Sequence, residues 1–133
     1  MQSKLVWEKA GERIFVLVLD SGEEAVAEIT EFANREGLRF ASLTALGAFQ
    51  NAVVGWFDFD AKAYRKIPIE QQCEALSLIG DVAESDGGQP SLHVHAVLGF
   101  SNGSTRGGHL LEAIVRPTLE VTIIETPAHL RRK

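Results

Sequence analysis

The sequence predicts an α+β fold: one mixed, mainly antiparallel β-sheet with a single main helix, near the N-terminus, packed on it. Three observations predict this class. One stretch has helical periodicity, the later stretches are rich in strand formers, and glycine-rich turns separate them at hairpin-like spacing. With 133 residues the chain fits a single domain, residues 1–133, with a core spanning about 11–125.

The strongest strand and helix signals come first along the chain. The apolar run 14–19 predicts a central strand that is buried on both faces. Ser21 as N-cap and Glu24 three residues later match a capping box, and Gly37 is suited to end a helix. We therefore expect one helix here, with an apolar face made by Val26, Ile29, Phe32 and Ala33.

Strand patterns fill most of the chain that follows. Gly47 predicts a bend or a close packing point, and Pro117 is expected to interrupt the chain after a short strand or helical turn at 110–115. Residues 83–90 form a strong breaker cluster and predict a loop. The predicted strands are 39–46, 52–59, 62–69 (at the sheet edge), 74–82, 92–100 and 119–125. So much strand with so little helix leaves sheet surface that other copies of the chain would cover.

Composition narrows the classes of function. The net charge is −5, which disfavours direct DNA binding because attraction to phosphates supplies most non-specific affinity. Cys73 is the single cysteine, so an intramolecular disulfide and a thiolate metal cluster within one chain are excluded, and we expect it to be structural. No apolar run could span a bilayer, and the first residues lack a signal-peptide core. The sequence predicts a cytoplasmic protein with no membrane partner.

Three of the four histidines lie close together and carry the main chemical signal. His93 and His95 fall on one strand, two residues apart, so their side chains project from the same face. Imidazole is a common ligand for zinc and other late first-row metals, and three histidines with an open fourth position form a known catalytic arrangement. A His-x-His strand can also simply face solvent, but the Gly-Gly-His at His109 favours a shared site. His129, in the tail, is expected to be uninvolved.

Hairpin register decides whether His109 joins the other two histidines. A two-residue turn centred on Asn102-Gly103 would pair His109 with Ala96, on the opposite face. A longer loop, or a bulge at Gly107-Gly108, would bring His109 to the same face. The three-histidine site therefore requires a register shift.

The remaining motifs are weaker. No glycine-rich phosphate loop, dinucleotide fingerprint or nucleophile elbow is present in the sequence. Three carboxylates could shuttle protons near the histidines, and nothing in the sequence selects between them: Glu74, Glu112 and Glu120. Three aromatic residues are expected in the core or at an interface rather than as a base-stacking platform: Trp56, Phe57 and Phe59.

Between about Gly11 and Glu125 the chain resembles the plants-and-prokaryotes-conserved (PPC) domain in its stand-alone bacterial form. The order and spacing of several pieces carry the resemblance: Ser21-Gly22-Glu23, Ala45-Leu46-Gly47-Ala48-Phe49, Val54-Gly55-Trp56-Phe57-Asp58, Glu74-Ala75-Leu76-Ser77-Leu78-Ile79-Gly80, Leu92-His93-Val94-His95-Ala96, Gly107-Gly108-His109-Leu110 and Leu119-Glu120-Val121.

The resemblance implies a homotrimer with a metal site at His93, His95 and His109, holding zinc or another divalent transition metal. Relatives often carry a DNA-binding label, but this sequence lacks the Arg-Gly-Arg-Pro type of segment that binds the minor groove in plant relatives. The first functional hypothesis is a regulatory protein that binds a small ligand or a protein partner. The alternatives are a zinc-dependent hydrolase that uses a metal-bound water, and a DNA-associated protein.

Overall fold

Strands dominate the fold. The computed structural model describes residues 1–126 and the backbone of residues 131–132. Within that part of the chain the elements are β1 (Gln2–Lys9), β2 (Glu12–Asp20), α1 (Ala25–Glu36), β3 (Phe40–Asp58), β4 (Ala63–Ile69), β5 (Cys73–Ser85), β6 (Pro90–Gly99), β7 (Thr105–Glu125) and β8 (Arg131–Arg132). The neighbouring strands pair antiparallel, except that β8 runs parallel to β5. The predicted α+β class, a mainly antiparallel sheet with one N-terminal helix, is confirmed.

Four strands close into a ring. The sheet order is β1-β2-β7-β6-β5-β3-β4, and β3 pairs in addition with β7, so that β3, β5, β6 and β7 each have a neighbour on both sides. Side chains alternate between the two faces of each strand. On β6, Val94, Ala96 and Leu98 point to the buried side, whereas His95 and Val97 are exposed on the outer side. The histidines therefore lie on the outer surface of the ring.

Helix α1 covers the core and begins later than the sequence predicts. Its buried face consists of Ala25, Ile29, Phe32 and Ala33, and the predicted Val26 packs against the core only partly buried. The N-cap is Glu24, whose carboxylate accepts the backbone N–H groups of Val26 and Ala27, each at 2.9 Å. Ser21 instead donates its hydroxyl to the carbonyl of Pro117, so the predicted Ser21 cap is wrong. Gly37 ends the helix at φ 65°, as predicted.

The late start has a tertiary cause. Residues 22–24 first run beside β7, where Gly22 donates to the carbonyl of Val115 and Val115 donates to the carbonyl of Glu23. Glu24 also accepts the backbone N–H of Ala113 at 2.9 Å. The same carboxylate thus caps α1 and satisfies a buried donor of β7.

Two strands are longer than predicted. The segments 39–46 and 52–59 form one strand, β3, which continues through Gly47. A Cβ on Gly47 would collide with the backbone of Thr118 on β7, so the glycine marks close packing rather than a strand end. Residues 110–115 and 119–125 likewise belong to one strand, β7, and Pro117 does not interrupt it. Pro117 is paired neither with β2 nor with β3. Its missing N–H therefore costs no hydrogen bond between strands.

Other boundaries also shift. The predicted loop at 83–90 is shorter, because β5 extends to Ser85 and β6 begins at Pro90. Strand β2 is not central: it lies between β7 and the edge strand β1, which the sequence analysis missed. Only one face of β2 is fully buried, through Phe15, Leu17 and Leu19. Strand β4 lies at the opposite edge, as predicted. In the described part of the chain, no helix has the length and apolarity needed to cross a membrane.

Candidate metal centre

Three histidines meet on the outer face of β6 and β7. His95 and His109 are directly paired across these two strands, and His93 lies two residues before His95 on the same face. One potential ligand atom from each ring falls within 4.8 Å of the others. His93 and His109 are half-buried, and His95 is exposed. The structure therefore brings together all three histidines that the sequence singles out.

The loop between β6 and β7 sets this register. Phe100 donates its N–H to the carbonyl of Ser104, and Gly103 donates its N–H to the carbonyl of Phe100, both at 2.9 Å. Residues 101–103 thus form a three-residue loop that ends on Gly103 at φ 83°, a conformation that glycine adopts without strain. The longer-loop alternative is correct. The β6–β7 register is unbroken from His95 to Gly99, so no bulge in this pairing is needed.

The paired glycines before His109 allow close approach of neighbouring strands. A Cβ on Gly107 would lie 2.8 Å from the carbonyl oxygen of Ala96, and one on Gly108 would lie 2.7 Å from the carbonyl oxygen of Gly55. Real Cβ atoms essentially never come this close to another atom. Glycine at both positions lets β7 pack between β6 and β3 and hold His109 in place.

The donor set fits a divalent transition metal. A tetrahedral zinc ion bound at about 2.0–2.1 Å holds its nitrogen ligands about 3.4 Å apart. His93 Nε2 and His95 Nε2 already lie 3.2 Å apart, and the three-atom set spans 4.8 Å at most. Small rotations of the rings would bring the third nitrogen within coordination distance. Without a metal, the 3.2 Å contact can serve as a hydrogen bond in which one ring donates to the other.

An aromatic cavity of about 740 Å³ opens beside the histidines. Phe57, Phe59 and Tyr64 form a chain of edge-to-face ring contacts, with centroids 5.4 and 5.3 Å apart. Tyr64 stacks on His109 at 4.8 Å with an interplanar angle of 26°. Gly55 leaves room for this stacking, because a Cβ there would lie 3.0 Å from the Tyr64 ring, and the ring would have to move by a few tenths of an ångström. The aromatic chain thus forms one wall of the cavity and fixes the orientation of His109.

The three aromatic residues near the end of β3 were expected in the core or at an interface, and the structure excludes the core. Trp56, Phe57 and Phe59 are not in the core, since they are 55%, 38% and 82% exposed. The guanidinium of Arg65 covers Trp56, with 5.3 Å from the guanidinium carbon to the ring centroid. A place at an interface stays a prediction.

A smaller and more polar cavity, of about 460 Å³, lies on the other side of His93 and His95. Its polar lining includes Ser42, Thr44 and Asp81. Asp81 on β5 is the direct cross-strand partner of His93. Directly paired residues share a face, with Cβ atoms about 5 Å apart. Asp81 is therefore the carboxylate that the fold places beside the histidines.

The three carboxylates considered in the sequence analysis are placed elsewhere. Glu74, Glu112 and Glu120 are exposed and line neither histidine cavity. Asp81 is not among the residues that the sequence singles out, although the β5–β6 loop holds a signal for its position. Residues 86–88 form a three-residue loop ending on Gly88 at φ 80°, as in the β6–β7 hairpin, and this loop length pairs Asp81 with His93.

The other candidate side chains lie apart from this centre. Cys73 is buried at the start of β5, and burial raises the pKa of its thiol, which disfavours the reactive thiolate. This agrees with the structural role expected for it. His129 lies outside the described residues.

Comparisons with known proteins agree with the fold. The model of the Plants and Prokaryotes Conserved (PCC) domain family matches residues 7–127. A plant- and prokaryote-conserved protein from Pyrococcus horikoshii is 34% identical, with a TM-score of 0.86, over 91% of this chain and 84% of that one. A metal-containing protein from Archaeoglobus fulgidus is 33% identical, with a TM-score of 0.83, over 99% and 90% of the two chains.

A third similar structure carries a provisional DNA-binding label. It is a protein from Bacteroides thetaiotaomicron, 25% identical, with a TM-score of 0.84, over 96% of this chain and 87% of that one. Among curated proteins, none matches the sequence.

Proposed function

Since this chain belongs to the Plants and Prokaryotes Conserved (PCC) domain family, we propose that it is a metal-binding member which acts by recognising a small ligand or a protein partner, in a regulatory role. His93, His95 and His109 are the metal ligands, and zinc is the first candidate metal. One observation carries this proposal: three imidazole donors lie within 4.8 Å of one another on two paired strands. The metal-containing relative from Archaeoglobus fulgidus supports it.

Neighbouring strands and side chains hold the histidines in positions that suit metal binding. Pairing of β6 with β7 fixes the backbone of His95 and His109, and Tyr64 holds the His109 ring by stacking. A bound zinc ion supplies a Lewis-acidic position that accepts an oxygen or nitrogen of a ligand. The two cavities flank the histidines and give a ligand room to reach that position.

Self-association as a homotrimer is the second part of the proposal. Several large apolar side chains are more than half exposed on the described chain: Leu46, Trp56, Phe59, Leu76 and Ile79. Where such side chains form one exposed apolar patch, the patch marks an association site in a soluble protein. Light scattering on the purified protein is expected to give three times the 14.5 kDa mass of the chain. A monomeric mass would contradict this part.

The alternatives receive less support. DNA association is opposed by the net charge of −5 and by the linings of both histidine cavities, which include no lysine or arginine among the described residues. A hydrolase would need a carboxylate near the metal, and in the described chain Asp81 is the carboxylate that lines these cavities. No observation shows a substrate for such a reaction.

Metal analysis of the purified protein tests the proposal. We expect about one zinc or other divalent transition metal ion per chain, and loss of that metal in His93→Ala, His95→Ala and His109→Ala. His129→Ala is the matched control, because it removes the remaining imidazole, and it is expected to keep the metal. A wild-type protein that stays metal-free after incubation with zinc would overturn the proposal. A variant that lacks all three histidines but binds zinc with unchanged affinity would overturn it as well.

A further inference from the structure

The three histidines border the two cavities unequally. His93, His95 and His109 all line the larger cavity, of about 740 Å³, whereas His93 and His95 line the smaller one. A zinc ion held by three histidines keeps a fourth position for a further ligand. Because the three side chains meet at the larger cavity, a molecule bound there lies beside that position.

The aromatic wall of the larger cavity starts at the metal ligands. Gly55 on β3 is the direct partner of His109, and Phe57, two residues further along β3, pairs with Tyr64 on β4. The Tyr64 ring lies 4.8 Å from the His109 ring, and the Phe57 ring lies 5.3 Å from the Tyr64 ring. Aromatic rings pack at centroid distances of about 4.5–7 Å. A ligand ring can therefore contact this wall when only a short chain joins it to a group at the metal.

The metal supplies the positive charge of the larger cavity. In the described part of the chain, lysine, arginine, aspartate and glutamate are absent from its lining. Neutral imidazoles leave the charge of a divalent metal unchanged. The carboxylate of Asp81, paired with His93 at the smaller cavity, offsets one of these two charges. One positive charge thus remains for a ligand to neutralise.

This charge selects the kind of head group. A carboxylate carries one negative charge and can bind zinc through oxygen. Phosphate and sulfate groups are usually held by several cationic side chains or N–H donors, and among the described residues neither cavity is lined by lysine or arginine. An ammonium group would be repelled by the metal. A small carboxylate therefore matches the site best.

We propose that the larger cavity binds a small arylalkanoate, with its ring against Phe57, Phe59 and Tyr64 and its carboxylate at the metal held by the three histidines. The volume of about 740 Å³ is in the range of small-molecule sites. The inference rests on the proposed function, because the metal provides the charge that holds the carboxylate.

Titration calorimetry with 3-phenylpropanoate tests the inference on the full-length protein, zinc-loaded and after treatment with a chelator. We expect saturable binding to the zinc-loaded protein, and binding about tenfold weaker or less after the metal is removed. Two matched probes are each expected to bind the zinc-loaded protein about tenfold more weakly: acetate, which lacks the ring, and 3-phenylpropylamine, which carries the opposite charge. Equal binding of the acid with and without zinc, or of the acid and the amine, would overturn the inference.

The cobalt-loaded protein tests where the carboxylate lies, because the visible absorption of cobalt responds to the groups around it. We expect 3-phenylpropanoate to change this spectrum at concentrations at which acetate does not. Binding of the acid without any change in the spectrum would place it away from the metal and overturn the inference.

Substitutions in the aromatic wall test the other half of the site. Phe57→Ala removes the middle ring of the wall and is expected to weaken acid binding about tenfold with unchanged zinc content. Phe59 is 82% exposed, so Phe59→Ala tests the same wall without disturbing the core. Trp7→Ala removes an exposed ring on β1, outside both cavities, and is the control. Unchanged acid binding in both wall variants would overturn the inference.

A second copy of the chain is the competing occupant of the aromatic cavity. If the zinc-loaded wild type does not bind the acid and Phe59→Ala lowers the mass in solution, the cavity is an interface between copies and the inference fails. Zinc content, measured on the same samples, separates this inference from the metal proposal. Zinc binding without acid binding overturns the inference alone, whereas absence of zinc binding overturns both.

Discussion

His95 and His109 are directly paired across β6 and β7, and their rings project from the same outer face of the ring of strands. A shift of one residue would place His109 opposite Ala96 and turn its ring away from His95. The three-residue loop 101–103 prevents this shift. The geometry of the candidate metal centre therefore depends on a hairpin turn whose residues line neither histidine cavity.

Substitution of the loop glycine tests this dependence. Gly103 has φ 83°, so Gly103→Ala is expected to destabilise the protein by about 1–2 kcal/mol through backbone strain. Gly87→Ala is the control, because Gly87 lies in the equivalent β5–β6 loop without a positive φ and has open space around it. Urea unfolding measures both effects. Equal stability of the two variants would contradict the explanation.

Glu24, rather than Ser21, is expected to be the stabilising cap of α1. Glu24→Ala removes the acceptor of two helix N–H groups and leaves the buried N–H of Ala113 unsatisfied, at a cost of about 2–4 kcal/mol. Ser21→Ala loses one hydrogen bond to Pro117 and is expected to cost about 1 kcal/mol or less. Thermal and urea unfolding compare the variants. A larger loss in Ser21→Ala would restore the capping box predicted from the sequence.

Low pH is expected to destabilise the turn before α1, because it protonates the Glu23 carboxylate. The backbone N–H of Asp20 donates to the Glu23 carboxylate at 2.7 Å and lowers its pKa below the ordinary value of 4.5; burial opposes this, and the Met1 ammonium adds to it. Because the folded-state pKa is lowered, this stabilisation is present above pH 4.5 and is lost as the pH falls through the folded-state pKa. When the pH is lowered from 7 to 3, the free energy of unfolding should therefore decrease more for the wild type than for Glu23→Gln. Parallel losses would contradict this assignment.

Asp81 is expected to orient His93 for metal binding. Carboxylates beside ligating histidines commonly accept the second ring N–H, and their loss costs ten- to a hundredfold in metal affinity. We expect Asp81→Asn to weaken zinc binding by about this factor. Glu74→Gln, on the same strand but outside both histidine cavities, is the control. Competition with a chromophoric chelator gives the affinities, and identical values for both variants would rule out an orienting role.

Local patterns in the sequence predict the helix and the strands better than they predict where each of these begins and ends. The apolar face of α1 and the alternation of β6 are encoded within a few residues, and both are confirmed. The continuity of β3 through Gly47 and of β7 past Pro117 depends instead on neighbouring strands. Glycine and proline usually end strands, and only the tertiary pairing shows that here they do not.

In the candidate site, too, local patterns predict some positions, and the pairing of distant strands determines the others. Alternation along one strand predicts that His93 and His95 share a face, whereas the position of His109 depends on a loop length that the sequence leaves open. Asp81 reaches the site through the register between β5 and β6, and Tyr64 reaches His109 through the pairing of β4 with β3. Such placements depend on loop lengths and strand pairings that the sequence alone leaves open. The sequence leaves the choice among Glu74, Glu112 and Glu120 open, and the structure places none of them in the histidine cavities.

X-ray absorption at the zinc edge tests the central claim most directly, because it counts the imidazole ligands around the bound metal. We expect three imidazole nitrogens at about 2.0–2.1 Å in the zinc-loaded wild type, and two in any His109→Ala protein that retains zinc. A wild-type spectrum with one imidazole or none would contradict the assignment of His93, His95 and His109 as a shared metal site.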